Sequence, residues 1–313
     1  MKKTRTLVAI AAGVVTAAGL ALATPALASP VQAEPEAKAA PDINVDNVMA
    51  HLEKFQSIAD ANGGNRSAGT EGYTQSAEYI TSTLTDAGFE VEQQVCESCT
   101  SPDPNIIADW PGGDEAATIM LGGHLDGVSA GPGINDNGSG SAGLLEVALS
   151  LAEAKPELTK HVRFGFWADE EQGLNGSAYY VQSGAADNVE AYLNFDMIGS
   201  TNAGYFLDGD APYTDALGSH LSSLNIETEN TGECCSDEMS FEDAGIPVAG
   251  LFTGAGATKT AEQAEKWGGT AGESYDPCYH AECDSYPDNI NSEALNNMTD
   301  SMAVGLWELA GAA

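Results

Sequence analysis

Carboxylates and imidazoles recur in this chain directly after short apolar runs, where a backbone would hold them still. His124 and Asp126 follow the run at residues 118–121 and the pair Gly122-Gly123. Asp136 lies in the loop Gly133-Ile134-Asn135-Asp136-Asn137-Gly138, Glu170-Glu171 come just after residues 162–167, and Asp196 closes residues 192–195. Singly, a His-x-Asp is usually a surface turn and a Glu-Glu pair is usually solvated. Together they are the donors a pair of metal ions would take. Hydrolysis of an amide at neutral pH needs a strong nucleophile and a stabilised oxyanion, and two zinc ions roughly 3.5–4 Å apart supply both by acidifying a water and polarising the carbonyl. Such a pair asks for one bridging carboxylate, a further imidazole or carboxylate on each ion, and a carboxylate that binds no metal and takes the proton of the attacking water. Asp126, two positions after His124, is placed to orient that imidazole.

Regular elements must carry these side chains. Residues 118–121, 162–167, 192–195 and 248–252 read as strands. Helices are expected over 45–61, with Val48, Leu52, Phe55 and Ile58 on one face, and over 73–87, stopped by Gly88. Further helices are expected at 141–154, 177–182 and 293–309. This alternation predicts an α/β fold: a single domain whose mixed, mostly parallel central sheet is covered by helices on both faces. The candidate ligands then fall at the C-terminal ends of three strands, the edge where open α/β sheets build their sites. Residues 62–66 read as a loop. The Gly-rich stretch 253–289, which holds a cysteine pair, reads as a long functional loop.

The length of 313 residues, 42% of them hydrophobic, suits one large domain over residues 40–313. Ahead of it, Lys2, Lys3 and Arg5 precede an apolar run and the small-residue site Ala26-Leu27-Ala28, so residues 1–28 read as a secretory signal peptide. Residues 29–39, rich in Pro, Ala and Glu, have little to bury and read as a pro-segment. An extracellular monomer acting on peptides is expected. Eleven Lys and Arg against 47 Asp and Glu give a net charge of −36, which argues against nucleic acid and anionic membranes as partners. No later stretch is long and apolar enough to span a bilayer. The six cysteines favour disulfides in an exported chain. A zinc ribbon from Cys96-x-x-Cys99 with Cys234-Cys235 competes, although an adjacent pair is poorly spaced for a tetrahedral site.

Several blocks carry a resemblance. Gly122-Gly123-His124-Leu125-Asp126, the run from Gly133 to Ser141, Glu170-Glu171-x-Gly173-Leu174 and the run from Leu193 to Ser200 are similar to the secreted double-zinc leucine aminopeptidases of the Streptomyces type. So are Leu251-Phe252-Thr253-Gly254-Ala255-Gly256 and Cys278-Tyr279-His280-x-x-Cys283, and the likeness runs from about residue 40 to the C-terminus. It implies that His124 and Asp196 bind one zinc, that Glu171 and His280 bind the other, and that Asp136 bridges them. Glu170 would be the general base and the Tyr279 hydroxyl would steady the oxyanion. Met197 and Phe252 match the family's apolar cleft, which would favour Leu, Met or Phe as the released residue. A calcium ion is implied at Asp42, Ile43 (through its carbonyl), Asn296 and Asp300, weakened because Asn296 stands where relatives carry Asp. Cys278 and Cys283 are expected to form a disulfide that places Tyr279 and His280, and the other four cysteines to link the 96–99 loop to Cys234-Cys235.

The chain departs from its nearest relatives at one place, reading Cys235-Ser236-Asp237-Glu238 where they have Arg-Ser-Asp-His. The same fold and ligands occur in carboxypeptidases and glutaminyl cyclases, but a carboxypeptidase needs a cation for the substrate carboxylate, and the missing Arg weakens that reading. A binding protein that had lost catalysis would lack ligands or base, and all are present here.

Overall fold

The computed structural model describes residues 39–231 and 236–313. The expected signal peptide, all but the last residue of the expected pro-segment, and Cys234-Cys235 lie outside them. Helix α1 (Val45–Ala61) forms where its periodicity places it, burying Val48, Leu52, Phe55 and Ile58, and the Asn44 side chain caps it by accepting the Asp46 N–H. Helix α2 (Glu71–Ala87) begins two residues earlier than the apolar pattern suggests because Thr70 caps the Tyr73 N–H, and it ends at Gly88 in the left-handed region, φ 99°.

Strands and helices then alternate: β1 (Glu90–Val95), β2 (Pro104–Asp109), β3 (Asp114–His124), α3 (Gly140–Ala154), β4 (Lys160–Trp167), α4 (Asn175–Gln182), β5 (Val189–Phe195), β6 (Phe206–Gly209), α5 (Tyr213–Ser223), α6 (Glu238–Glu242), β7 (Val248–Phe252), α7 (Ala261–Trp267) and α8 (Ser292–Leu309). The sheet runs β1-β2-β4-β3-β5-β7-β6. Its centre, β4-β3-β5-β7, is parallel, while β1, β2 and β6 add antiparallel edges. Of these, the edge strands β1 and β6 escape the sequence pattern for a physical reason. β1 is polar and half exposed, and β6 has only four residues, so neither shows an apolar run.

Side chains of β3 alternate between two cores, as the two-residue period requires. Ile119 and Leu121 join the larger core with residues of α1, α3 and α8. Met120 faces the other way, into a smaller core with Trp167, Tyr180, Tyr192 and Phe241, where Tyr192 and Phe241 stack at 3.8 Å. Burial of each such side chain is worth roughly 1.5–3 kcal/mol, so both faces hold the strand that ends in His124. Among the described residues, no helix is long and apolar enough to cross a membrane.

Candidate metal centre

Parallel register brings the ligand-bearing strand ends flush. His124 at the end of β3 pairs with Trp167 of β4, and Gly122 pairs with Asn194 of β5. Glu170 and Glu171 follow β4 and Asp196 follows β5. Glycine precedes His124 because a Cβ on Gly123 would collide with the Phe195 carbonyl oxygen. Asp136 comes from the wide turn ahead of α3, joined to Asn137 by a cis peptide bond. The Asn137 side chain pins that turn to β5, donating to the Phe195 carbonyl (2.9 Å) and accepting the Gly140 and Met197 N–H groups.

The two oxygens of Asp136 face two imidazoles, Oδ1 at 3.4 Å from His124 Nε2 and Oδ2 at 3.1 Å from His280 Nε2. Asp196 Oδ1 is 3.4 Å from His124 Nε2, and Glu171 Oε2 is 3.1 Å from His280 Nε2. The five residues thus gather around Asp136, with Asp196 beside His124 and Glu171 beside His280. His280 and Met197 have left-handed backbones, φ 58° and 49°, uncommon for residues with a Cβ. Glu171 Oε1 and Asp196 Oδ1 are buried without a hydrogen-bond partner. Orphaned carboxylate oxygens are costly in a dry interior, and a cation beside each would satisfy it. Among the described residues, three-donor groups form only here, as His124-Asp136-Glu171 and as His124-Glu170-Asp196. Glu170 Oε2 lies 3.9 Å from His124 Nε2, so proximity alone does not separate it from the ligands.

Asp126 reaches His124 through its backbone. Its main-chain carbonyl lies 3.0 Å from His124 Nδ1, while its carboxylate oxygen is 3.7 Å away. That carboxylate instead accepts the N–H groups of Glu170 (3.1 Å) and Glu171 (3.4 Å). Because a carbonyl only accepts, Nδ1 carries the proton and Nε2 keeps its lone pair for a cation.

Charge is badly balanced here without metal. Burial, then Asp237 and Asp196, push Glu170 up to about 10, and burial with Asp136 pushes Glu171 up to about 8. Burial would lower His124, but Glu170 and Asp196 outweigh it and hold the imidazole well above its usual value. Burial would raise Asp136, yet the contacts with His124 and His280 hold it down at about 2. Bound dications would oppose these upward shifts of the carboxylates and imidazole, because a metal favours the deprotonated ligand. Tyr279 stacks on His280 at 3.8 Å, and burial with Asp136 and Asp196 raises its hydroxyl, which stays protonated and able to donate.

These groups line one end of a cleft of about 380 Å³. Met197 and Phe252 line it as expected, with Met239 and Leu251; Asp208, Glu238 and Glu242 line it too. The fully buried Arg66 gives no motif and is missed by sequence reasoning. It donates to the carbonyls of Leu125 (2.6 Å), Pro132 (3.0 Å) and Gly133, tying together the loops after β3 and before Asp136. Burial lowers its pKa to about 10 against the pull of Asp284, Asp126 and Asp136. A lone arginine in a Gly-Asn loop of so acidic a chain was its only signal. Asp276, Asp284 and Asn289, buried below the site, were likewise missed.

Cys278 and Cys283 are bonded as expected, with Cα atoms 5.3 Å apart. The expected link from the 96–99 loop to Cys234-Cys235 is corrected. Cys96 and Cys99 bond to each other, because the turn between them brings their Cα atoms to 5.4 Å. This pairing also removes the zinc-ribbon alternative. At the expected calcium position, Asp300 accepts the N–H of Ile43 (2.7 Å) and the amide of Asn296 (2.9 Å), and the charge of Asp42 acts on it. The four residues meet, although Ile43 presents its N–H to Asp300.

A parallel-centred sheet with this donor set at its C-terminal edge defines a zinc exopeptidase fold. It is shared with a zinc aminopeptidase from Bacillus subtilis (TM-score 0.71, 17% identity, covering 87% of this chain and 96% of that one) and with a Porphyromonas gingivalis glutaminyl cyclase (TM-score 0.68, 19% identity, covering 86% of this chain and 100% of that one). Residues 105–305 match peptidase family M28, and the chain belongs to that family. It is 48% identical over 299 residues to leupeptin-inactivating enzyme 1 of Streptomyces exfoliatus, covering 93% of this chain and 68% of that protein. It is 46% identical over 216 residues to an aminopeptidase of Pseudomonas aeruginosa, covering 64% of this chain and 40% of that one. The chain is thus a hydrolase of peptide bonds, an aminopeptidase of a zinc-peptidase family.

Proposed function

We propose that the chain is a secreted, monomeric aminopeptidase that uses two zinc ions and releases large hydrophobic residues from peptide N-termini. His124 and Asp196 would hold one ion, Glu171 and His280 the other, with Asp136 shared between them. When bound, the zinc pair would acidify water and polarise the scissile carbonyl. Glu170, held by its backbone bond to Asp126, takes the proton from the attacking water and passes it to the leaving amine. Tyr279, protonated and stacked on His280, donates to the developing oxyanion. Met197 and Phe252 supply apolar surface for the N-terminal side chain. A calcium ion at Asp42, Ile43, Asn296 and Asp300 would add a structural clamp.

The observation that carries this reading is the pair of orphaned oxygens on Glu171 and Asp196 either side of the two-faced Asp136. Metal content by mass spectrometry should give two zinc ions per chain. Initial rates on aminoacyl-anilides should rank Leu, Met and Phe above Gly, Glu and Lys, with N-acetyl-Leu-anilide uncut. Full activity with a single zinc, or equal cleavage of the acetylated substrate, would sink it.

A further inference from the structure

The loop that carries Tyr279 and His280 is fastened to the Asp136 turn on both of its flanks. On the leading flank, Asp276 accepts the Cys278 N–H (2.8 Å) with one oxygen and the Asn135 amide (2.6 Å) with the other. On the trailing flank, Asp284 accepts the N–H of Asn135 (2.7 Å) and the N–H of Asp136 (3.0 Å), one on each oxygen. Asn289 joins the flanks, donating to Asp276 (3.1 Å) and Asp284 (2.9 Å). All three side chains are buried, Asp284 at 2% exposure, and none lines the cleft.

A carboxylate that takes consecutive N–H groups on its two oxygens fixes the plane of the peptide between them, and such charge-assisted bonds are the strong ones. That peptide carries Asp136. Asp284 itself sits one residue beyond the Cys278–Cys283 ring that holds His280. The carboxylate facing both imidazoles and the loop bearing one of them are therefore set relative to each other through a single side chain.

We propose that Asp284 is a positioning residue for the metal centre: it aligns the bridging carboxylate of Asp136 with His280, so that the second cation site is completed. The proposal rests on the dizinc reading above. It should weigh more on the His280 side, whose loop also depends on Asp284, than on the His124–Asp196 side, whose other supports are strands that Asp284 does not touch.

Asp284→Asn keeps the shape but turns an NH2 group toward one of the two N–H donors. Partners that orient metal ligands typically change affinity by about 10–100-fold when mutated. In titrations of the metal-free full chain against a competing chelator, the first zinc should bind D284N as it does wild type, and the second should bind about 10–100-fold more weakly. The visible spectrum of the cobalt-substituted protein should shift, and kcat should fall more than KM changes. N289A, which leaves the charge and both backbone bonds of Asp284 in place, should shift second-site affinity the same way by a smaller factor, and it decides the matter alone should D284N not fold. Wild-type second-zinc affinity and cobalt spectrum in the folded variants, whatever their melting temperatures, would overturn the proposal by itself. A wild-type chain that takes up no second zinc would instead overturn the dizinc reading, and this proposal with it.

Discussion

His124 and His280 approach the same carboxylate from unlike supports. His124 ends a central strand, its side chain 1% exposed, and it is locked by register with β4, by the close pass of β5 at Gly123 and by Arg66 behind the next loop. His280 sits on a loop with its side chain 40% exposed, held by a disulfide and two buried carboxylates. One half of the centre inherits its precision from the sheet ladder. The other must manufacture precision from covalent and polar ties, because a loop offers no register. Chemistry that needs both halves is only as exact as the weaker.

The adjacent glutamates that follow β4, one facing each half, should show the largest effects and should differ in kind. Glu170→Gln should lower kcat by roughly 10²–10⁴-fold, with KM changed far less and both zinc ions retained. Glu171→Gln should lose metal. Near wild-type turnover of Leu-anilide by E170Q would end its assignment as base.

The loop-borne half should respond to its covalent tie by a smaller amount. The Cys278–Cys283 ring spans a sequence separation of five, so loop closure contributes about 2 kcal/mol, less than a long loop would. Replacing both cysteines by serine should therefore lower the melting temperature by only a few degrees, while misplacing Tyr279 and His280 enough to cut kcat by about 10-fold. Unchanged kcat would mean that Asp276 and Asp284 hold the loop without help.

The smallest effect should touch neither half. Calcium at about ten times its Kd adds ~1.4 kcal/mol by mass action, or ~3 °C in a chain of this size. Titrated at saturating zinc, it should raise the melting temperature by that order without altering kcat, and Asp300→Asn should abolish the rise. An equal response in wild type and variant would reduce the effect to screening of the acidic surface.

The same contrast governs what could be read in the sequence. Strand-end donors were legible because an apolar run, then glycine, then His or carboxylate is a local signal, and α1, α3 and α8 were legible by period. His280 and Tyr279 were not visible in any pattern and entered through resemblance alone. Asp284 and Arg66 left almost no trace, since their side chains bond to backbone groups 59 or more residues away. The Cys96–Cys99 pairing was misread because cysteine counts constrain parity and not partners.

Part of the cleft lining, Asp208, Glu238, Met239 and Glu242, comes from β6 and α6, elements of four and five residues outside the parallel centre. None of these four is among the donors that surround Asp136. Donor cluster and this part of the lining thus sit on separate elements and can change separately. A lineage can exchange side chains on α6 and drift from one peptide diet to another while the donors stay fixed. Of the two departures from the relatives, Glu238 falls on that part of the lining.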